Sequence, residues 1–174
     1  MINKLLFFIT ILFSILNFKT LSAENITFLD FKYVLNNSVA GKKAQDYLKN
    51  KLQKGIEQLK KKEAKILDEE KKIIQQKKVL SPEDYKKQIT SLRSKVSSLQ
   101  KERQKIVQTV AKERAFAKNE LLNNLNPLLI EYMNTNNIKM VIDKKNLIRA
   151  DQSLDITKEI VSQLNKKIKS INFK

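Results

Sequence analysis

Between Leu52 and Leu80 an apolar side chain recurs at strict sevenfold spacing: Leu52, Leu59, Ile66, Ile73 and Leu80. Held for five repeats, that is one position of a coiled-coil heptad, and it predicts a single helix from about Lys42 to Val79. The expected companion position is mostly polar, since Ile56 is followed by Glu63, Glu70 and Lys77. Ala64, Leu67 and Ile74 widen the apolar side instead. Gly55 reads as a tolerated weak point where the helix can bend, costing about 1 kcal/mol relative to Ala. A stripe this narrow holds one partner helix and cannot bury itself in a thick bundle.

The partner follows at once in the sequence. In "LSPED", Ser81 is an N-cap, Pro82 stands at the first helical position, and Glu83 and Asp84 put negative charge in the first turn. Tyr85, Ile89, Leu92, Val96, Leu99, Ile106 and Val110 then follow 4-3 spacing, with Arg103 in the one skipped place. Ala117, Leu121, Leu125, Leu128 and Tyr132 continue a shifted stripe, which predicts a stutter near Glu113. Two long helices with narrow stripes and a short link fold back on each other. Ser81 and Pro82 therefore mark the tip of a hairpin, near residues 79–83. An arm of about 38 residues reaches roughly 57 Å. Pro127 is expected to kink the second helix by releasing the carbonyl of Asn123.

The flanks differ in character. "ENITFLDF" is a short β-prone run, Ile138 to Asp143 a second strand, and Leu147 to Ala150 a third, after a turn at 143–146. Asp155 caps a final helix whose face carries Ile156, Ile160, Leu164, Ile168 and Ile171. Three strands and one helix leave sheet edges open, which favours self-association. The fold class expected is mainly α with a small β head. A long antiparallel helical hairpin, residues 42–134, rises from short strands that form an oligomeric β-body. Residues 24–41 and 135–174 make that head.

Composition sharpens this picture. Two Gly, two Pro, no Trp and 30% charged residues are the proportions of long helices with wet faces. The charge is one-sided: residues 42–112 carry 21 Lys+Arg against 9 Asp+Glu. An excess of one sign exceeds what solvation needs and points to an anionic or acidic partner. With no Cys and no His, disulfides and the usual metal and nucleophile–base sets are missing. Asp30, Asp143 and Asp155 are better explained as strand-end and cap residues than as catalytic ones. No catalytic, cofactor-binding or metal-binding residue is expected. At the front, Lys4, the apolar run Leu5 to Phe18 and small Ser22 and Ala23 have the order of a signal peptide, residues 1–23, cut after Ala23.

These residues resemble the OmpH/Skp family of periplasmic chaperones. The resemblance rests on "ITFLDFKYVLNNSVAGKKAQDYL", on "NIKMVIDKKNLIRADQSLDITKEIVSQLNKKI" and on the Lys-, Glu- and Gln-rich hairpin between them. In order, the matching features are Asp30 at a strand end, Ser38 with Gly41 and Lys42 opening the arm, Ile142-Asp143, and Asp155-Ile156-Thr157. Pro127 departs from the pattern. The resemblance implies an ATP-independent holdase in the periplasm, a homotrimer whose arms enclose unfolded outer-membrane proteins.

On that reading the cations of the arm faces, Lys60, Lys61, Lys71, Lys72, Lys77, Lys78, Lys86 and Lys87, are the client-binding candidates. The alternatives are an exported structural coiled coil and a protein that binds anionic lipid or lipopolysaccharide surfaces. Specific nucleic-acid binding is disfavoured, because the basic runs lack interleaved stacking aromatics.

Overall fold

The computed structural model describes residues 25–173, so the signal peptide and its cut lie outside the described residues. Strand β1 (Asn25–Leu29) leads into a short helix α1 (Phe31–Asn37) and then the long α2 (Val39–Gln76). After the tip, α3 runs from Pro82 to Thr135, followed by β2 (Ile138–Asp143) and α4 (Thr157–Lys167). The chain is mainly α with a small sheet, as the pattern of apolar positions implies. No helix among the described residues is long and apolar enough to cross a membrane.

β1 and β2 pair in parallel, with Phe28 opposite Ile142 and Leu29 opposite Asp143. Parallel neighbours cannot be joined by a tight turn and need a crossover. Here the crossover is the whole hairpin, residues 30–137, so the arm leaves the head from the middle of one structural unit.

Local chemistry fixes each corner. Asp30 accepts from Tyr33 N at 2.7 Å and caps α1, while its own N–H donates to Thr157 Oγ1 at 3.0 Å. Ser38 Oγ accepts from Gly41 N at 3.1 Å and starts α2, three residues earlier than the apolar spacing indicates. Gly41 is needed there, because a Cβ would sit 1.8 Å from the carbonyl oxygen of Leu35. At the tip, Leu80 N donates to Gln76 O at 3.0 Å, so α2 ends at Gln76 rather than at Val79. Ser81 Oγ accepts from Asp84 N at 3.1 Å, and Pro82 stands in the first turn of α3.

The core lies where the arm meets the head. Leu29, Val34, Ala40, Ala44, Leu121, Leu125, Leu128, Ile156, Ile160 and Leu164 form one buried cluster. The buried line of α3 steps Val110, Glu113, Ala117, Leu121, Leu125, with successive four-residue spacings beyond Glu113, which is the stutter. α3 runs unbroken through Pro127, which faces solvent between buried Leu125 and Leu128. Asn137, at φ 53°, takes the left-handed conformation that ends such a helix.

Two expectations fail in the head. Leu147–Ala150 forms no strand: two 3-10 turns, Lys144–Asn146 and Gln152–Leu154, flank it, and Ile148 is fully exposed. A strand needs a hydrogen-bonding neighbour, and among the described residues this segment has no strand partner; Phe28 and Asp155 bridge beside β1 instead. Helix α4 also ends at Lys167, so Ile168 and Ile171 pack from the tail beyond it. The N-cap of α4 is Ile156 rather than Asp155, which stands one residue earlier and accepts from Thr157 N at 3.0 Å and from the Thr157 hydroxyl.

Burial alone would raise the Asp155 carboxyl pKa, but the Thr157 hydrogen bonds and Lys144, at 3.3 Å, outweigh it and leave it lowered. A depressed carboxylate contributes stability above its ordinary value that is lost as pH falls through the folded value. The stability gap between wild type and Asp155→Asn should therefore be present at pH 7 and close as the pH drops below 3.8, in urea titrations. Leu125→Ala, at a fully buried site, should cost about 2–5 kcal/mol by the same assay.

Candidate functional site: the apolar face of the arm

The sevenfold line is the seam. Leu59 and Ile73 are buried, Leu52, Ile66 and Leu80 half-buried, and Leu92 and Leu99 of α3 are buried against them. Its companion line differs from the expected one. Leu48 and Gly55 occupy it near the head, and Lys62 and Glu69 beyond; Ile56, Glu63 and Glu70 lie outside the seam. Gly55 is a point of close approach. A Cβ there would stand 2.9 Å from Ile106 Cγ2, so the absent side chain is what lets α3 come in.

Charge sets the register. Lys51 pairs with Glu113, Lys62 Nζ lies 2.7 Å from Glu102 Oε1, and Lys95 Nζ lies 2.7 Å from Glu69 Oε1. Exposed pairs add little stability, roughly 0–1 kcal/mol each, but like charges in a slipped register would repel. The hydrogen bond to Glu113 raises the Lys51 pKa, and burial opposes that rise, so Lys51 keeps its charge at neutral pH.

These pairs give the hairpin two unlike sides. Lys62, Glu69, Lys95 and Glu102 each stand three residues after a seam position and make the back. Ile56, Leu67 and Ile74 stand one or four residues after a seam position of α2, and Val96 and Val107 do so in α3. In an antiparallel pair, equal offsets from the seam fall on the same side of the hairpin. The five make a front face, and all are exposed, between 42% and 61%. The register brings Val107 level with Ile56, Val96 with Leu67, and half-buried Ile89 with Ile74. Glu63 and Arg103, 3.8 Å apart, share this face. Toward the head it runs into an open groove of about 740 Å³ walled by Leu35, Ala44, Leu48, Leu52, Ala117 and Leu121, with Lys49 and Arg114 among its polar lining.

The eight lysines named from the sequence do not form one cluster. Lys60 and Lys86 share the front face, one residue after Leu59 and Tyr85. Lys61, Lys71 and Lys87 lie on the outer sides, and Lys72 is paired with Asp68 at 2.7 Å. Lys77 and Lys78 belong to the tip, where Lys77 Nζ sits 5.9 Å from the Tyr85 ring centroid. Leu67 and Ile74 stand on the front face rather than in a widened seam. Their spacing after Ile66 and Ile73 was the available signal that they stand outside it.

The family model for outer membrane protein (OmpH-like) matches residues 25–164, which is most of the chain. The chain belongs to the OmpH-like family. Among solved structures, this OmpH-like chain is similar to an OmpH-like protein of Caulobacter crescentus CB15, a candidate outer membrane chaperone. The two share 19% sequence identity with a TM-score of 0.81, over 87% of this chain and 90% of that one. That likeness is one of fold. No curated protein matches the sequence.

The register of this OmpH-like arm can be checked directly, since the chain has no native cysteine. Gly55→Cys with Ile106→Cys should oxidise to an intrachain disulfide, whereas Gly55→Cys with Leu99→Cys, about 10 Å further along the helix, should not. Non-reducing electrophoresis reads the difference.

Proposed function

We propose that this protein is an ATP-independent holdase of the periplasm that binds unfolded outer-membrane β-barrel proteins and keeps them from aggregating. Membership of the OmpH-like family supports a chaperone role. The observation that carries the finer reading is the front face: a row of exposed aliphatic side chains on an arm that is otherwise strongly cationic. An unfolded barrel strand alternates apolar and polar residues and has nowhere to bury its apolar side before insertion. The front face offers apolar contacts in steps along the arm, with Lys60, Lys86 and Arg103 beside them to meet client carboxylates. The stems of such cations also cover apolar surface. Each contact is weak and many act together, so holding stays reversible.

The assembly proposed is a homotrimer, exported by the signal peptide and cut after Ala23. Support for self-association comes from the head: the sheet of the described residues has two strands, and Ile26, Met140 and Ile148 around it are exposed. Such edges are covered or paired in stable proteins. A second copy of the chain would supply the neighbour that Leu147–Ala150 lacks. The cationic arms also suit contact with anionic lipid or lipopolysaccharide as a side activity.

Dilution of a urea-unfolded outer-membrane barrel protein into the chain from Glu24 onward tests this reading by light scattering. Suppression should saturate near three chains per client and persist in moderate salt. Leu67→Gln, Ile74→Gln and Val96→Gln together should weaken it about ten- to a hundredfold, since each half-covered aliphatic side chain contributes roughly 0.5–1 kcal/mol. Lys71→Gln with Lys87→Gln should leave it nearly unchanged. Suppression lost in salt and indifferent to the apolar substitutions would reduce the activity to binding of charged surfaces. No suppression by well-folded protein would leave a structural coiled coil.

A further inference from the structure

Residues 168–173 follow α4 and lie beyond the residues that the family model matches. They are packed: Ile171 is buried in the core cluster, and Ile168 and Phe173 pack against it. Phe173 reaches the base of the arm. Its ring stacks on Tyr47 of α2 with centroids 4.2 Å apart and planes 10° apart. Phe116 of α3 meets the same ring at 6.3 Å and 60°. One side chain of the tail therefore touches both helices of the hairpin.

The place it touches is specific. Lys51 Nζ lies 5.5 Å from the Tyr47 ring centroid and 3.4 Å from its hydroxyl, and it is the partner of Glu113. Side-chain exposure of Glu113 is 15%, against 40% or more for either partner in the arm's other ion pairs. The aromatic cluster thus borders the most sheltered charged link between the helices, at their first turns above the head. Phe116 stands three residues after Glu113, on the back of the hairpin and away from the apolar groove. Tyr47, next to Leu48 of the companion line, is on the same side.

We propose that the tail is a strap, in which Phe173 fastens the back of the arm base to α4 and restricts how far the arm swings from the head. The tail spans from Leu164 in the core to Tyr47 and Phe116 on the arm, so any swing that opens the back must first unstack Phe173. The arm is also attached to the head by α1, β2 and α4 against the helices' own ends and by the core cluster.

Amide exchange in the full exported chain tests it. Phe173→Ala should speed exchange at Tyr47–Lys51 and Glu113–Ala117 about two- to tenfold, the range expected for loss of one aromatic pair. Exchange in the distal arm, at Ile66–Ile73 and Leu92–Leu99, should not change, and Phe173→Tyr should restore the base. Because the chain has no tryptophan, Phe173→Trp reports its own surroundings and should resist acrylamide quenching. Unchanged exchange at the arm base in Phe173→Ala, or a solvent-exposed tryptophan, would overturn the strap. So would a uniform rise throughout the chain, which would make Phe173 an ordinary stabilising residue.

Discussion

The arm depends on how narrow its apolar seam is. In the distal arm about one seam residue per seven positions in each helix buries against one partner and leaves nothing for a third helix. Two helices therefore close on each other over almost their whole length, and the arm stays thin. The same narrowness forces close packing at a few points. At Gly55 the backbone gives way to Ile106, and where apolar residues run out Lys62, Glu69, Lys95 and Glu102 cross the seam instead. Ion pairs of this kind choose an alignment more than they add stability.

Alignment is what makes the face. Aliphatic residues outside the seam are scattered in the sequence and become a row only when the two helices are in one register. Ile56 with Val107, and Leu67 with Val96, then lie level on one side, and the Lys62–Glu102 and Lys95–Glu69 links lie on the other. The proposed holdase role needs exposed apolar surface without self-aggregation. Separating these groups in steps along a cationic rod meets both conditions, because no single patch is large and like-charged arms repel at a distance.

The head is made from the two ends of the described chain. A parallel strand pair requires a long connection, and the connection here is the helical hairpin. The junction is held by polar links that span more than a hundred residues: Asp30 N to Thr157 Oγ1 at 3.0 Å, and Val39 N to Asn165 Oδ1 at 2.7 Å. The tail adds an aromatic link on the back of the same junction. The head thus holds the arm through one buried apolar cluster, with separately placed polar and aromatic links around it.

Much of this was legible in the sequence, because it rests on local rules. Sevenfold spacing, the Ser81–Pro82 start and the Asp and Ser caps act within one or two turns of helix, so they can be read without the partner. The stutter at Glu113 was legible for the same reason. What failed depended on a neighbour. Leu147–Ala150 has strand-forming residues but no strand beside it, and Gly55 looks like a weakness until Ile106 is placed opposite. Leu67 and Ile74 follow seam residues so closely that only the second helix decides which side of the line is buried. The sequence by itself determined that two long helices form, where they turn, and that their surface is cationic. Only the tertiary structure decided which apolar side chains remain in water, because burial belongs to pairs of surfaces and the register between them.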